Sequence, residues 1–150
     1  MKLIKNNQQT GFTLIEAMIV CVILGIIVGI AFPQYRSAQT RAKEASTKAN
    51  MSAFRTMVEI YNAMYSGIYP SNVNMLINEP EMRNSQVWKE LYNPYTNQGG
   101  KGFAYDDESQ PKKPGIFTYT LATDIYALYG YDSNSQRITQ RGIVFYLTNQ

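Results

Sequence analysis

The segment that decides how the chain is organised is Gly11-Phe-Thr-Leu-Ile-Glu-Ala-Met-Ile-Val-Cys-Val-Ile-Leu-Gly-Ile-Ile-Val-Gly-Ile-Ala-Phe-Pro33. From Phe12 to Phe32 it has 21 residues, of which only Thr13 and Glu16 are conspicuously polar. As a helix this run spans roughly 31 Å, about the hydrocarbon thickness of a bilayer. The segment therefore predicts a membrane-spanning helix. The carboxylate of Glu16 is a candidate functional group, because a charge in lipid needs a partner.

The hexapeptide Gly11-Phe-Thr-Leu-Ile-Glu16, which follows a short basic leader, resembles the prepilin signature of type IV pilins and of the pseudopilins of type II secretion. In that family a membrane peptidase cuts after the glycine and methylates the new N-terminal phenylalanine. The resemblance implies cleavage between Gly11 and Phe12, and N-methylation of Phe12. It also implies that Glu16 pairs with the α-amino group of a neighbouring subunit during assembly. The alternative is that Glu16 only extends to the lipid headgroups.

Three further residues of the segment weaken the helix, by about 1 kcal/mol for each glycine and about 3 kcal/mol for the proline. They are Gly25, Gly29 and Pro33. One interpretation is that these residue types are simply common in membrane helices. The other is an assembly segment that kinks in the membrane and extends in a filament, and Pro33 favours this second interpretation.

The N-terminus is also compatible with two kinds of segment that are not prepilin signals. The first is an ordinary secretory signal with its apolar region at 17–31, and Gly29-Ile-Ala31 has the small-residue spacing of a cleavage site. The second is a plain single-pass anchor. The apolar run is longer than the 7–15 residues usual in secretory signals, and it begins with a carboxylate. The hexapeptide therefore favours the prepilin interpretation.

Beyond Pro33 the helical pattern resumes. Apolar residues recur at steps of three and four from Tyr35 to Met64, which predicts one helix ending near Tyr65 with Gly67 as its stop. Alanines dominate this apolar stripe over 38–53, which suits close contact with another helix. Bulkier residues from Phe54 onward predict packing on a sheet.

Residues 67–102 are predicted to be a long loop with two short helices. Ser71 is the expected cap of a helix over 72–78, and Ser85 the expected cap of a helix over 86–92. Trp88 and Leu91 are expected to face inward.

The last third is rich in β-branched and aromatic residues, which predicts strands. The predicted strands are Phe103–Tyr105, Gly115–Leu121, Ile125–Tyr131, Gly142–Leu147 and a short one at Arg137–Gln140 after a turn at Asp132–Gln136. The predicted fold class is α+β and type IV pilin-like, with a long N-terminal helix packed on a small antiparallel β-sheet. The predicted division is a leader at 1–11, a transmembrane and assembly half-helix at 12–33, and a head at 34–150 that comprises helix 34–66, αβ-loop 67–102 and sheet 103–150.

Composition excludes several classes of site. There is no histidine, so Ser-His and Cys-His catalysis and ordinary zinc sites have no support. Cys21 is the only cysteine, so no intrachain disulfide can form, and the chain departs from pilins with a disulfide-bounded C-terminal loop. Without the leader lysines the chain has 12 basic and 11 acidic side chains, which does not favour nucleic-acid binding.

Two charged stretches are candidate sites. Asp106-Asp107-Glu108, with Asp124 and Asp132, is a candidate for calcium because the resembled pseudopilins bind calcium in this general region. A solvated acidic turn is the preferred interpretation, because the glycine and distal glutamate of a calcium loop are missing. Lys112-Lys113 is a weak signal for an anionic partner, and no metal or cofactor is predicted.

The sequence thus predicts a structural subunit of a type IV pilus and not an enzyme. The resemblance implies a single-pass inner-membrane protein that is matured by a prepilin peptidase and N-methyltransferase. It then polymerises with itself through an inner-membrane assembly platform into an extracellular filament. The expected roles are adhesion, twitching motility or DNA uptake. A type II secretion pseudopilin is the alternative within the family, and a membrane-anchored or secreted binding module is the alternative outside it.

Overall fold

The computed structural model describes residues 11–84 and 88–149. Most of the predicted leader, residues 1–10, lies outside the described residues. The same is true of Ser85, the expected helix cap, and of residues 86 and 87.

Helix α1 comprises Leu14–Met64, 51 residues with Pro33 inside it. It ends in a left-handed turn, where Ser66 has a φ of 54° and Gly67 a φ of 92°. The Gly67 N–H donates to the carbonyl of Asn62 at 2.9 Å, which is the six-to-one hydrogen bond of a Schellman motif. The left-handed position next to the helix is therefore taken by Ser66, and Gly67 follows it.

The chain divides into two compact units between Ala38 and Gln39. The first unit, called the N-terminal segment, holds the beginning of α1. Its large apolar side chains from Phe12 to Phe32 are all exposed. By length and composition, α1 contains a stretch that is long and apolar enough to cross a membrane.

The second unit, called the head, holds the rest of α1 and all the other elements. These are helices α2 (Val73–Ile77) and α3 (Pro80–Asn84) and strands β1 (Tyr105–Asp107), β2 (Phe117–Ala122), β3 (Ile125–Gly130), β4 (Thr139–Gln140), β5 (Ile143–Val144) and β6 (Tyr146–Thr148).

The main sheet has four strands in the order β1-β2-β3-β6, and β4 pairs with β5 in a separate two-stranded sheet. Strand β2 is antiparallel to β3, with Phe117 opposite Gly130, and β3 is antiparallel to β6, with Leu128 opposite Leu147. Strand β1 is parallel to β2, with Tyr105 opposite Phe117. The main sheet is therefore mostly antiparallel, with one parallel pair at its β1 edge, where the crossover at 108–116 connects β1 to β2.

The core lies between one face of α1 and one face of the main sheet. From α1 it takes Met51, Phe54, Met57, Val58 and Tyr61, and from β2 and β3 it takes Phe117, Tyr119, Tyr126 and Leu128. The ring centroids of Phe54 and Phe117 are 5.2 Å apart in an edge-to-face arrangement, the geometry that aromatic pairs prefer. The prediction that the bulky half of the stripe packs on the sheet is confirmed.

The short elements differ from their predictions. Helix α2 is capped by Asn72, whose Oδ1 accepts the N–H of Met75 at 3.0 Å, and not by Ser71. Residues 88–92 are not helical, so the predicted helix over 86–92 is wrong in its described part. Leu91 is nevertheless buried and Trp88 packs against the core, as expected.

The last predicted strand is divided in two. Strand β5 ends at Val144 and β6 begins at Tyr146, because the N–H of Phe145 donates instead to the carbonyl of Ile138 at 2.8 Å. Residues 103 and 104 lie before β1 and not in a strand.

Candidate functional site

The start of α1 holds Glu16 in a reciprocal pair with Thr13. The N–H of Thr13 donates to Glu16 Oε2 at 2.9 Å, and the Thr13 hydroxyl donates to the same oxygen at 2.6 Å. In return, the N–H of Glu16 donates to Thr13 Oγ1 at 3.4 Å. This is a capping box, in which two backbone groups at a helix start are satisfied by side chains. The spacing Thr-x-x-Glu carried the signal, and the sequence interpretation missed it.

The capping box leaves Glu16 able to act on something else. Both bonds from Thr13 go to Oε2, so Oε1 retains its capacity to accept a hydrogen bond. The residue is exposed at the N-terminus of a long helix, where the helix dipole favours a negative charge. The Glu16 carboxylate is therefore exposed and oriented, and it can bind a cation through Oε1.

Gly11 and Phe12 precede the helix and have no regular secondary structure. The side chain of Phe12 is 74% exposed. The peptide bond between them is therefore not part of the hydrogen-bonded helix α1. The predicted cleavage and methylation at these residues stay predictions.

Gly25 and Gly29 lie inside α1, and Pro33 follows them in the same helix. A Cβ built on either glycine would have no atom within 4 Å. Close packing within this chain therefore does not account for the two glycines. Their predicted role in assembly stays a prediction, as does that of Pro33.

The carboxylates of the acidic stretch 106–108, the candidate calcium site, form ion pairs with lysine and arginine side chains of the same chain. Lys101 Nζ lies 2.8 Å from Asp107 Oδ2 and 3.9 Å from Asp106 Oδ1. Glu108 Oε1 lies 2.9 Å from Arg137 Nη2 and 3.2 Å from Lys112 Nζ. Within residues 11–84 and 88–149, no group of three or more His, Cys, Asp or Glu side chains could hold a metal ion.

Electrostatics agree with this pairing at Glu108. Burial acts to raise the pKa of its carboxyl, but hydrogen bonds from Thr118, Arg137 and Lys112 outweigh burial and lower the pKa below its ordinary value. The hydrogen bond between Lys112 and Glu108 also raises the pKa of Lys112. Glu108 therefore joins the crossover at 108–116 to β2 and to the segment before β4.

The other two acidic candidates are placed in turns. Asp132 Oδ1 accepts the N–H groups of Asn134 at 2.8 Å and Gln136 at 2.9 Å, which closes the predicted turn at 132–136. Asp124 is exposed in the connection between β2 and β3.

The two adjacent lysines of the crossover, candidates for an anionic partner, are engaged within the head. Lys112 contacts Glu108, and the Nζ of Lys113 donates to the carbonyl of Gly102 at 2.9 Å. The Nζ of Lys113 also lies 5.6 Å from the centroid of the Phe103 ring. These contacts give the pair a structural role.

Asn93 is a buried structural residue within the predicted loop at 67–102. Its Nδ2 donates to the carbonyls of Phe103 and Pro114, each at 2.8 Å, and its Oδ1 accepts the N–H of Tyr95 at 2.8 Å. Gly115, with a φ of 74°, passes so close that a Cβ there would lie 2.4 Å from Asn93 Oδ1. This buried amide closes the αβ-loop against the crossover in a head that has no disulfide.

Comparison with family models locates a match in the N-terminal third of the chain. The family model described as the prokaryotic N-terminal methylation motif matches residues 6–32. No solved structure matches the chain.

Three curated relatives illustrate the similarity. The type II secretion system core protein G of Pseudomonas aeruginosa is 39% identical over 67 residues, 45% of this chain and 46% of that protein. The type IV major pilin protein PilA of Myxococcus xanthus is 45% identical over 51 residues, 34% of this chain and 23% of that protein. The type IV major fimbrial protein FimA of Dichelobacter nodosus is 43% identical over 54 residues, 36% of this chain and 35% of that protein.

The matched region spans less than half of the length of each of these relatives. The motif match begins before Gly11 and ends just before Pro33, so it covers the hexapeptide and the apolar run. The resemblance read from the sequence is thereby confirmed: the chain carries the prepilin N-terminal methylation motif shared by type IV pilins and the type II secretion pseudopilins, and its fold is pilin-like.

Proposed function

We propose that the chain is a structural subunit of a type IV pilus. It is made as a prepilin in the inner membrane, cut between Gly11 and Phe12, N-methylated at Phe12 and polymerised into an extracellular filament. The observation that carries the proposal is the contrast within α1. Its apolar beginning is exposed in the single chain, whereas its later turns bury their apolar side chains in the head. The subunit acts by packing and not by catalysis.

The exposed apolar run of α1 needs a cover, because so large an apolar surface is not stable in water. Leu14, Ile30 and Phe32 are among the side chains that are more than half exposed. Before assembly the cover is lipid, and after assembly it is the equivalent helix of other copies. Contacts between unlike faces of identical subunits generate open helical filaments, which is the symmetry of a pilus.

Cleavage and assembly use the same few residues. Gly11 and Phe12 precede the helix, where a prepilin peptidase and N-methyltransferase can act on a segment without regular secondary structure. Cleavage creates an α-amino group on Phe12, and methylation keeps it basic. We propose that Glu16 of a neighbouring copy accepts this ammonium through the oxygen that Thr13 leaves open, so that two charges costly in lipid neutralise each other. Release of the subunit to the assembly platform then exchanges lipid for protein contacts.

We propose adhesion, twitching motility or DNA uptake as the role of the filament. Adhesion, twitching motility and DNA uptake each need a long surface fibre, and the head would present the contact surface of that fibre.

A second candidate is a pseudopilin that builds a short piston for protein export. The observation that favours it is the similarity to the type II secretion system core protein G, which extends over 67 residues, against 51 for the PilA pilin. The two candidates share cleavage and helix assembly but differ in the length and location of the fibre.

The experiment is intact mass and N-terminal sequencing of protein sheared from cells. We expect N-methylated Phe12 as the first residue in abundant, long sheared filaments. The same N-terminus found only in the membrane fraction would support the pseudopilin. An uncut chain, or a chain that starts near Phe32, would overturn both candidates and leave an anchored or secreted domain.

A further inference from the structure

The head carries a group of carboxylates at one end. The last turns of α1 lie beside Glu79 and Glu81, because the Tyr65 hydroxyl is hydrogen-bonded to Glu79, which raises the pKa of Tyr65 to about 12. Asp124 is exposed at this same end, two residues before Tyr126, whose ring packs 5.2 Å from that of Tyr69. We call Glu79, Glu81 and Asp124 the acidic end.

The opposite end of the head carries cations. The Nζ of Lys48 lies 3.5 Å from Gln140 Oε1 and 4.5 Å from the centroid of the Phe145 ring. Arg141 is exposed in the turn that follows Gln140, and the Nζ of Lys43 lies 5.0 Å from the centroid of the Tyr95 ring. We call Lys43, Lys48 and Arg141 the basic end.

The two ends are far apart and are not neutralised within the chain. The 22 residues of α1 from Lys43 to Met64 span roughly 33 Å. The ion pairs that the structure shows in the head join Lys101 to Asp106 and Asp107, and Glu108 to Lys112 and Arg137. Within the part of the chain that the structure describes, no residue of either end enters an ion pair.

Nearby charges of the other sign reduce this polarity without cancelling it. Glu44 and Asp132 lie close enough to raise the pKa of Tyr95, after burial, so they belong near the basic end, where Arg41 adds a further cation. Near the acidic end, Arg55 and Glu59 are both hydrogen-bond partners of the Tyr126 side chain, so one cation and one anion lie together there. Arg83 follows Glu81 in α3 and adds a further cation. Each end therefore keeps an excess of its own sign.

Apolar side chains accompany both ends. Ile68, just past the end of α1, is 62% exposed near the acidic end. Ile143, two residues from Arg141, is 72% exposed near the basic end. Burial of such side chains supplies affinity, whereas complementary charge mainly supplies register, direction and selectivity.

We infer that the acidic end of one head docks on the basic end of another copy, so that heads stack with one direction along the filament. The inference rests on the proposed assembly into a filament and adds the surface that sets the polarity of the stack. An interface between two unlike surfaces of the same chain repeats without closing, as a fibre requires. Because Glu81, Asp124 and Arg141 are exposed, high salt should weaken this contact.

The experiment uses the full chain in cells and measures the fraction of subunits in sheared filaments. The first variant, E81K/D124K, reverses the acidic end and leaves the hydrogen bond of Glu79 intact. The second, K48E/R141E, reverses the basic end. The quadruple variant combines both, so it has the net charge of the wild type and a contact of reversed sign. Glu90→Lys, an exposed charge outside both ends, is the control for charge alone.

We expect each double variant to lose filaments roughly tenfold or more, because like charges then face each other. The quadruple variant should return to within about twofold of the wild type, and Glu90→Lys should assemble normally. Near-ultraviolet circular dichroism of each protein in detergent shows whether its head is folded. Folded double variants that assemble like the wild type would overturn the inference, and so would a folded quadruple variant that assembles no better than the doubles. Wild-type cells without any filament would instead contradict the proposed function.

Discussion

The N-terminal segment and the head differ in where their apolar side chains find partners. In the segment, the large apolar side chains from Phe12 to Phe32 are exposed. In the head, α1 and the sheet bury theirs in a shared core. The head is therefore stabilised by contacts inside the chain, and the segment depends on lipid or on other copies. Substitutions in the two regions should accordingly separate assembly from folding.

The largest expected effect is on assembly, from Glu16→Gln. Glutamine can still accept the hydrogen bonds of Thr13 in a capping box, but it carries no charge to pair with an ammonium group. We expect roughly a hundredfold fewer filaments, because the amine of the neighbouring copy loses its partner in a poorly solvated place. Electron microscopy and quantitation of sheared filaments measure the loss.

The matched control is Thr13→Ala, which removes the cap and keeps the charge. It should reduce assembly by much less than Glu16→Gln. Equal losses in the two variants would mean that Glu16 acts as a cap and not as a charge. Neither change should alter the melting temperature of the head in detergent.

The largest expected effect on folding comes from Gly115→Ala. Gly115 has a φ of 74°, and a new Cβ would lie 2.4 Å from both Asn93 Oδ1 and Tyr95 Cδ2. The left-handed backbone costs an alanine about 1 kcal/mol, and the overlap with a buried, hydrogen-bonded amide adds about 2–3 kcal/mol. Thermal or denaturant unfolding in detergent should therefore show about 3–4 kcal/mol of destabilisation.

Gly142→Ala separates the two contributions. Gly142 also has a positive φ, 81°, but a Cβ there would meet nothing within 4 Å. It should cost only about 1 kcal/mol, the backbone part. If both variants lost the same stability, the contact with Asn93 would not be what makes Gly115 necessary.

The sequence predicted the elements that depend on periodic patterns. The long helix follows from the spacing of apolar residues from Tyr35 to Met64, and β2 and β3 follow from their β-branched and aromatic content. The parallel pairing of β1 with β2 could not be predicted, because strand order depends on a crossover whose path no local pattern specifies. The division of the last strand at Phe145 depends on one tertiary hydrogen bond to Ile138.

The candidate site shows the same limit. The hexapeptide motif located Gly11, Phe12 and Glu16, and the family comparison matches that stretch. The spacing Thr-x-x-Glu was enough to predict the capping box. The sequence interpretation considered only the charge of Glu16 and therefore missed it. The hydrogen bonds of Asn93 reach partners 10 and 21 residues away, so no local spacing announces them.

A smaller effect is expected at Glu108 and should depend on pH. Its pKa is held below the ordinary 4.5, because hydrogen bonds from Thr118, Arg137 and Lys112 outweigh burial. A depressed pKa adds stability above the unfolded-state pKa, and this contribution is lost as the pH falls through the folded-state pKa. The pH window of the loss thus begins near 4.5 and extends downward.

Glu108→Gln tests this dependence. We expect the variant to be less stable than the wild type by about 1–2 kcal/mol at pH 7, where the charge-assisted hydrogen bonds are intact. The difference should shrink as the pH falls below about 4.5. Thermal unfolding of both proteins in detergent from pH 7 to pH 3 measures it. A difference that stayed constant over this range would assign the stability to packing and not to the charge.

The smallest expected effect returns to the N-terminal segment, with Gly25→Ala and Gly29→Ala combined. The added methyl groups meet no atom of the same chain, and alanine favours a helix over glycine by about 1 kcal/mol per residue. The free energy of unfolding of the head should therefore stay within about 0.5 kcal/mol of the wild-type value, the usual range for changes away from packed sites. Filaments should decline by only a few-fold, because small residues let neighbouring helices approach closely and alanine is still small. Val22→Ala, at a side chain that is 61% exposed, is the control for a change of similar size in the same helix. If the glycine variant assembled as well as this control, the two glycines would be residues tolerated in lipid and would have no special role in assembly.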